Sequence, residues 1–301
     1  MRKNLTLATV LALFSVTIVS AQEETVTEKN WKISGENTFM VNQSSFSNWS
    51  AGGINSFAAN LLFNYNFNYQ KENWNWDNKV IAGYGQSKQK TLGWRKNDDQ
   101  LHLNSLLGYK AAEKWLYTFF ANFNTQFTNG YQYDNNNNRT VISGAFAPAY
   151  LSFGPGIAFK ESDNLRFNLS PASARLIIVR DEALSAAGAF GVDPGKKLRT
   201  EFGASFDAYY KAELMKNISI ENSLKLFSNY LEDPQNVDMD YTLNLFLKVN
   251  EYISVNGALQ LIYDDNTLIP REGNDGSIIP GSERPALQVR QAFGVGLTYK
   301  F

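Results

Sequence analysis

The only histidine among the 301 residues is His102, in the segment LHLNSLLGY. A histidine can activate a hydroxyl nucleophile, but only when the two side chains lie within hydrogen-bond reach. Two residues beyond it stands Asn104, and the nearest serine is Ser105. Odd and even positions of an extended chain face opposite sides, so His102 reads as a polar wall residue beside Gln100 and Asn104, and the chain as no enzyme. GAFGVDPGKK has the glycines and lysines of a phosphate loop without their spacing. Lys197 stands where Ser or Thr is required, and no helix follows. It reads as a loop whose glycines supply turns. DPQNVDMD brings Asp233, Asp238 and Asp240 to a loop–strand junction. Clustered carboxylates can take a cation, yet the Asp-rich loop with a central Gly and closing Glu is missing. Solvated charges are the plainer reading, and neither cofactor nor metal is predicted.

What remains is a set of ionisable residues that share one register. Lys79, His102, Lys110, Arg166, Arg199, Glu201, Asp207, Lys211, Glu221, Lys225 and Arg290 all fall on the polar side of a two-residue alternation. Mixed charges on neighbouring strands can pair and brace an interior. The same charges around water would set ion selectivity. Both readings stay open. Lys110, Lys160, Lys211, Lys248 and Lys300 gather toward one end, where they would favour anions if unpaired. Gly83 and Gly85, Gly154 and Gly156, and Gly294 and Gly296 point the same way. They would leave room for an inward-folded loop, such as 181–197 or 266–287, or for a solute.

The elements that position these side chains are strands. In SFAANLLFNYNFNYQ the odd positions from Phe57 to Tyr69 are apolar or aromatic, and Asn60, Asn64, Asn66 and Asn68 lie between them. A helix would mix the two sets around its circumference, whereas a strand separates them. Twelve such segments are predicted, near 31–43, 56–70, 76–88, 99–111, 115–128, 148–160, 165–180, 198–212, 217–231, 237–250, 252–264 and 288–301. The seventh changes phase after Pro171, which predicts a bulge. Short turns alternate with long Asn/Gly/Asp/Ser-rich loops along the whole chain. That asymmetry predicts an all-β, single transmembrane antiparallel up-and-down barrel, with short periplasmic turns and long extracellular loops. Aromatics crowd the short-turn side, as an interfacial girdle requires.

MRKNLTLATVLALFSVTIVSA carries two basic residues, an apolar run and a small-residue end. It predicts a secretory signal peptide over 1–21, cleaved on export. A short polar segment over 22–30 and the barrel over 31–301 would follow. Cysteine is absent and the net charge is −1, so neither disulfides nor a basic nucleic-acid stripe is expected.

Trp49-Ser50-Ala51-Gly52-Gly53-Ile54-Asn55-Ser56 resembles the WxxGGxNS stretch of an uncharacterised outer-membrane β-barrel family of Gram-negative bacteria, a domain of unknown function. Asp233-Pro234-Gln235-Asn236-Val237-Asp238 also resembles part of that family. The resemblance implies fold and location and no activity. The closing QAFGVGLTYKF resembles the strand by which barrel-assembly machinery recognises its clients, with Tyr299 and Phe301 as the signal. The expected function is a channel or porin for small polar or anionic solutes. The alternative is a non-transporting structural barrel or a subunit of a larger envelope assembly. The expected partners are outer-membrane lipid, the assembly machinery and envelope proteins.

Overall fold

The computed structural model describes residues 30–45, 55–89, 92–134, 137–269, 271, 273, 279 and 281–301. The predicted leader and positions 49–54 of the glycine-rich motif lie outside them. Among the described residues the strands are β1 Trp31–Ser44, β2 Ser56–Lys71, β3 Trp74–Gln89, β4 Gly93–Lys110, β5 Trp115–Thr125, β6 Gly130–Tyr133, β7 Arg139–Ser143 and β8 Ala149–Ser162. They continue as β9 Leu165–Ile178, β10 Leu198–Met215, β11 Ile218–Asn229, β12 Asp238–Lys248, β13 Ile253–Tyr263, β14 Leu268–Ile269, β15 Arg284–Pro285 and β16 Gln288–Lys300. Twelve of these close into one antiparallel barrel in the order β1–β16–β13–β12–β11–β10–β9–β8–β5–β4–β3–β2. Each predicted segment became one barrel strand. The ribbons β6–β7 and β14–β15 lie in stretches read from sequence as loop.

Closure satisfies the backbone groups that an edge strand would expose in lipid. At the β1–β16 seam, Gly35 N–H donates to Phe301 O and Phe301 N–H to Gly35 O, both at 3.0 Å. The Phe301 ring packs on Tyr65 with centroids 5.5 Å apart. A Cβ at position 35 would meet both rings, so only glycine admits this contact. Inside, the Thr38 and Thr298 hydroxyls lie 3.0 Å apart, and those of Ser254 and Thr298 2.6 Å apart. Lys300 pairs with Glu36 at 3.0 Å.

The bulge expected at Pro171 is present. Pairing of β9 slips against β8 between Phe153 and Ile157, and against β10 between Gly203 and Ser205. Proline has no N–H for the ladder, and the Tyr230 hydroxyl donates to Pro171 O at 3.0 Å. The slip reverses parity, so inward Asn168 and Ser170 are followed by inward Ser173 and Arg175.

The outer face is apolar: Phe39, Leu61, Leu103, Phe119, Ile157 and Leu297 are all exposed. Such a continuous surface is stable only in hydrocarbon. Toward the short turns it ends in touching aromatics. Trp31 lies 5.1 Å from Tyr69, Trp74 5.1 Å from Tyr109, and Trp115 5.3 Å from Phe159. Rings with a polar tip settle at headgroup depth. Among the described residues no helix is long and apolar enough to cross a membrane, so the crossing is made by strands.

Candidate functional site

The inward face encloses two adjoining cavities. The one nearer the short turns measures about 570 Å³, and the one nearer the long loops about 590 Å³. Gln100, His102, Asp240 and Arg290 line both, so the two adjoin at their level. Of the predicted residues, Lys79, His102, Arg166, Asp207, Glu221, Lys225 and Arg290 line the lower cavity. Lys110 and Lys211 do not join it; they sit exposed at the short-turn end. Arg199 and Glu201 belong to a cluster nearer the loops. Tyr299 and Phe301 face outward in the girdle, both exposed.

Ion pairs cross the lumen. Lys79 on β3 pairs with Glu221 on β11, and five strands lie between these two in either direction around the barrel. The pair is therefore a diameter. Near the short turns, Asp77 receives Lys160 at 2.9 Å and Arg166 at 3.0 Å, from β8 and β9. Asp163, in the β8–β9 turn, receives Lys160 at 3.2 Å and Lys32 at 3.6 Å. Burial works against the charge of Asp163, but Lys160 and Lys32 outweigh it and hold the carboxyl below its ordinary range. Higher up, Arg290 donates to Asp98 at 2.7 Å, and Lys225 to Asn104 at 2.7 Å. Lys225 also stands in register with Asp207 on one side and Asp240 on the other.

The Lys79–Glu221 diameter divides two unlike halves. Under β5, β8, β9 and β10 the inward side chains are packed: Phe120, Ala158, Asn168, Ser170 and Ser173 are buried. There Thr118 donates to Asn168 Oδ1 at 2.6 Å, Asn168 Nδ2 to Ser170 at 3.3 Å, and Ser173 to Gly203 O at 3.0 Å. Near the loops this half holds Arg175, which pairs with Glu201 and Asp238. Its guanidinium also lies 4.2 Å from the Phe227 ring centroid. Arg199 Nε approaches Glu201 Oε1 to 2.9 Å as an ion pair, off hydrogen-bond alignment, so that oxygen has no hydrogen-bond donor. In the other half, under β12, β13, β16, β1 and β2, no residue of β2 or β12 is buried.

The paired glycines do not leave voids. Met40 lies across Gly294 and Gly296, Ser170 and Thr118 across Gly156, and Gln100 across Gly83. Each admits a cross-strand side chain that a Cβ would displace. The 181–197 loop does fold onto the mouth. It carries helix α1, Glu182–Ala186, capped by Asp181, whose carboxylate accepts from Leu184 N. Its Leu184 and Val192 pack on Ile177 and Val179, while Phe190 lines the upper cavity.

His102 contacts Asn124 Oδ1 at 2.8 Å and Gln100 Oε1 at 3.2 Å. Ser105 faces outward, donating to Asn78 at 2.8 Å and accepting from Trp76 Nε1 at 2.8 Å, so no Ser–His pair forms. Asp233, Asp238 and Asp240 do not converge: Asp238 is engaged by Arg175, Asp240 accepts from Gln260 at 3.1 Å, and Asp233 accepts from Gln235 within its own loop. Sequence reading missed Arg175, Asp77 and Asp98. Arg175 follows the Pro171 bulge, and applying the reversed parity would have placed it inside.

A family model described as "Protein of unknown function (DUF3078)" matches residues 41–131. No curated protein matches. Among solved structures, the chain is similar to the NanC porin at 9% identity, with 87% of this chain and 98% of that one covered and a TM-score of 0.36. An outer membrane channel from Pseudomonas putida F1 matches at 10% identity, covering 92% and 99%, with a TM-score of 0.37. OmpT, an outer membrane protein of Vibrio cholerae, matches at 7% identity, covering 90% and 97%, with a TM-score of 0.30. At such scores the likeness carries nothing about solute or mechanism. The closed twelve-strand barrel and its apolar belt define the class. The chain is an outer-membrane β-barrel.

Proposed function

We propose that this barrel is exported from a Gram-negative cytoplasm through a cleaved leader and serves in the outer membrane as a narrow channel for small polar solutes. The observation that carries the reading is the pair of adjoining cavities along the lumen, lined by shared polar side chains. The anionic branch has less support. Of the five lysines that would attract anions, Lys160 is neutralised by Asp77 and Asp163, and Lys300 by Glu36. Planar-bilayer recordings of the purified chain test the proposal. Discrete conductance steps are expected, and a barrel closed at every voltage and in every solute would sink it.

One observation favours a second reading, a non-transporting barrel held within an envelope assembly. The Lys79–Glu221 pair spans the lumen, and a barrel braced in that way can serve as a rigid post. Its sign would be a stable co-purifying envelope protein together with zero conductance. For biogenesis, the seam contacts of Phe301 support its place in the assembly signal. Removing Phe301 is expected to lower the heat-modifiable folded fraction in the outer membrane, and an unchanged fraction would refute that role.

A further inference from the structure

Resting on the channel reading, the uneven filling of the lumen points to where a solute passes and of what class it is. On β2, Asn64, Asn66 and Asn68 project inward at alternate positions, and Asn244 and Asn256 do so from β12 and β13. All five are half-buried. Among the described residues, the amides of Asn64, Asn66, Asn68 and Asn244 have no side-chain partner, and Asn64 Oδ1 is buried without any hydrogen bond. Nearby, Lys79 is matched by Glu221 and Arg290 by Asp98, and Lys225 stands in register between Asp207 and Asp240.

We propose that the conducting path through the lower lumen is eccentric, running along the β12–β13–β16–β1–β2 wall, and that it selects neutral polyhydroxylated solutes, the chemistry of small sugars and polyols. An amide presents a donor and an acceptor at once, and so does a hydroxyl. A polyol moving along this wall exchanges hydrogen bonds to water for hydrogen bonds to amides at little net cost. Along this row of amides a bare ion finds only neutral dipoles to replace its hydration. Low in the opposite half Ala158, Ser170 and Ser173 are buried, whereas nearer the loops the upper cavity opens against β5, β8 and β10.

Proteoliposome swelling with the full chain tests this using mannitol, gluconate and protonated N-methylglucamine, which share a polyol chain and differ in charge. Mannitol is expected to enter about fivefold faster than either ion, the factor set by roughly one net hydrogen bond. Asn66→Leu and Asn244→Leu should each lower the ratio of mannitol to gluconate entry, with Asn66→Ala and Asn244→Ala as milder versions. Folding of every variant is checked by heat-modifiable migration. If the ions enter as fast as mannitol, the class is overturned while the channel stands. An unchanged ratio in all four folded variants overturns the wall assignment. If no solute enters and no conductance appears, the channel reading fails and this inference falls with it.

Discussion

The packed half of the lumen and the amide-lined half are built from the same alternating chain and reach opposite conditions. Under β5, β8, β9 and β10, polar side chains are buried because they satisfy one another: Asn168 is held by Thr118 and Ser170, and Glu201 by Arg175 and Arg199. Glycines and serines let these strands draw their inward side chains together, as Gly156 does beneath Ser170. Inward on β2 stand Asn64, Asn66 and Asn68, and on β12 Asn244, whose amides, among the described residues, find no side-chain partner within the wall, so water must complete them. Polarity alone therefore does not make a lumen wet. What decides is whether the polar groups are matched to each other or left for a solute.

The sharpest break of this contrast is Glu201→Ala. It would strand the buried Arg175 guanidinium with only Asp238 beside it, and removing one partner of a buried pair costs about 3–5 kcal/mol. The urea midpoint of the folded barrel should fall steeply; an unmoved midpoint would mean that the cluster is not a brace. Next comes Phe120→Ala, which empties a site only 3% exposed, at a cost of about 3 kcal/mol. Its counterpart Asn66→Ala should stay within roughly 0.5 kcal/mol, and equal losses in the two would erase the distinction between the halves. A smaller change is expected from replacing both members of the diametric pair, Lys79→Met with Glu221→Gln. That double variant should raise single-channel conductance with little change in stability, since replacing both members of a largely buried pair by uncharged side chains of similar volume is often close to neutral. A lower conductance would show that the pair guides solute rather than obstructing it.

The smallest effect is in pH. The carboxyl of Asp163 is held below its ordinary range by Lys160 and Lys32, so its contribution to stability is complete above the unfolded carboxylate pKa of about 4 and fades as pH falls through the lower folded value. Asp163→Asn should remove a shallow acid-side loss of stability measured by urea titration below that pH. An identical acid profile in the variant would dismiss the Lys32–Asp163–Lys160 bridge.

How much of this could be read in the sequence follows from range. The strands were legible because a two-residue alternation is local and survives in every segment, even in the β9 sequence that Pro171 interrupts. Most of the inward set was legible from parity; Arg175 was lost where one extra residue reversed it, while Asp77 and Asp98 keep the parity of Lys79 and His102 and were passed over. The pairing of Lys79 with Glu221 was not legible. Those residues lie 142 positions apart, and only closure of the barrel sets β3 opposite β11. For the same reason, the sequence marked Gly83, Gly154 and Gly294 as inward but not what lies over them. Neither α1 nor the β6–β7 ribbon carries an alternation long enough to announce itself.

The absence of cysteine allows the central claim to be tested at single sites. Asn66→Cys on the amide wall and Thr118→Cys in the packed half can each be exposed to a small charged methanethiosulfonate reagent during planar-bilayer recording. The conductance of Asn66→Cys channels is expected to fall on modification while that of Thr118→Cys channels stays constant. Block through Thr118→Cys with none through Asn66→Cys would contradict the account and place the path in the other half.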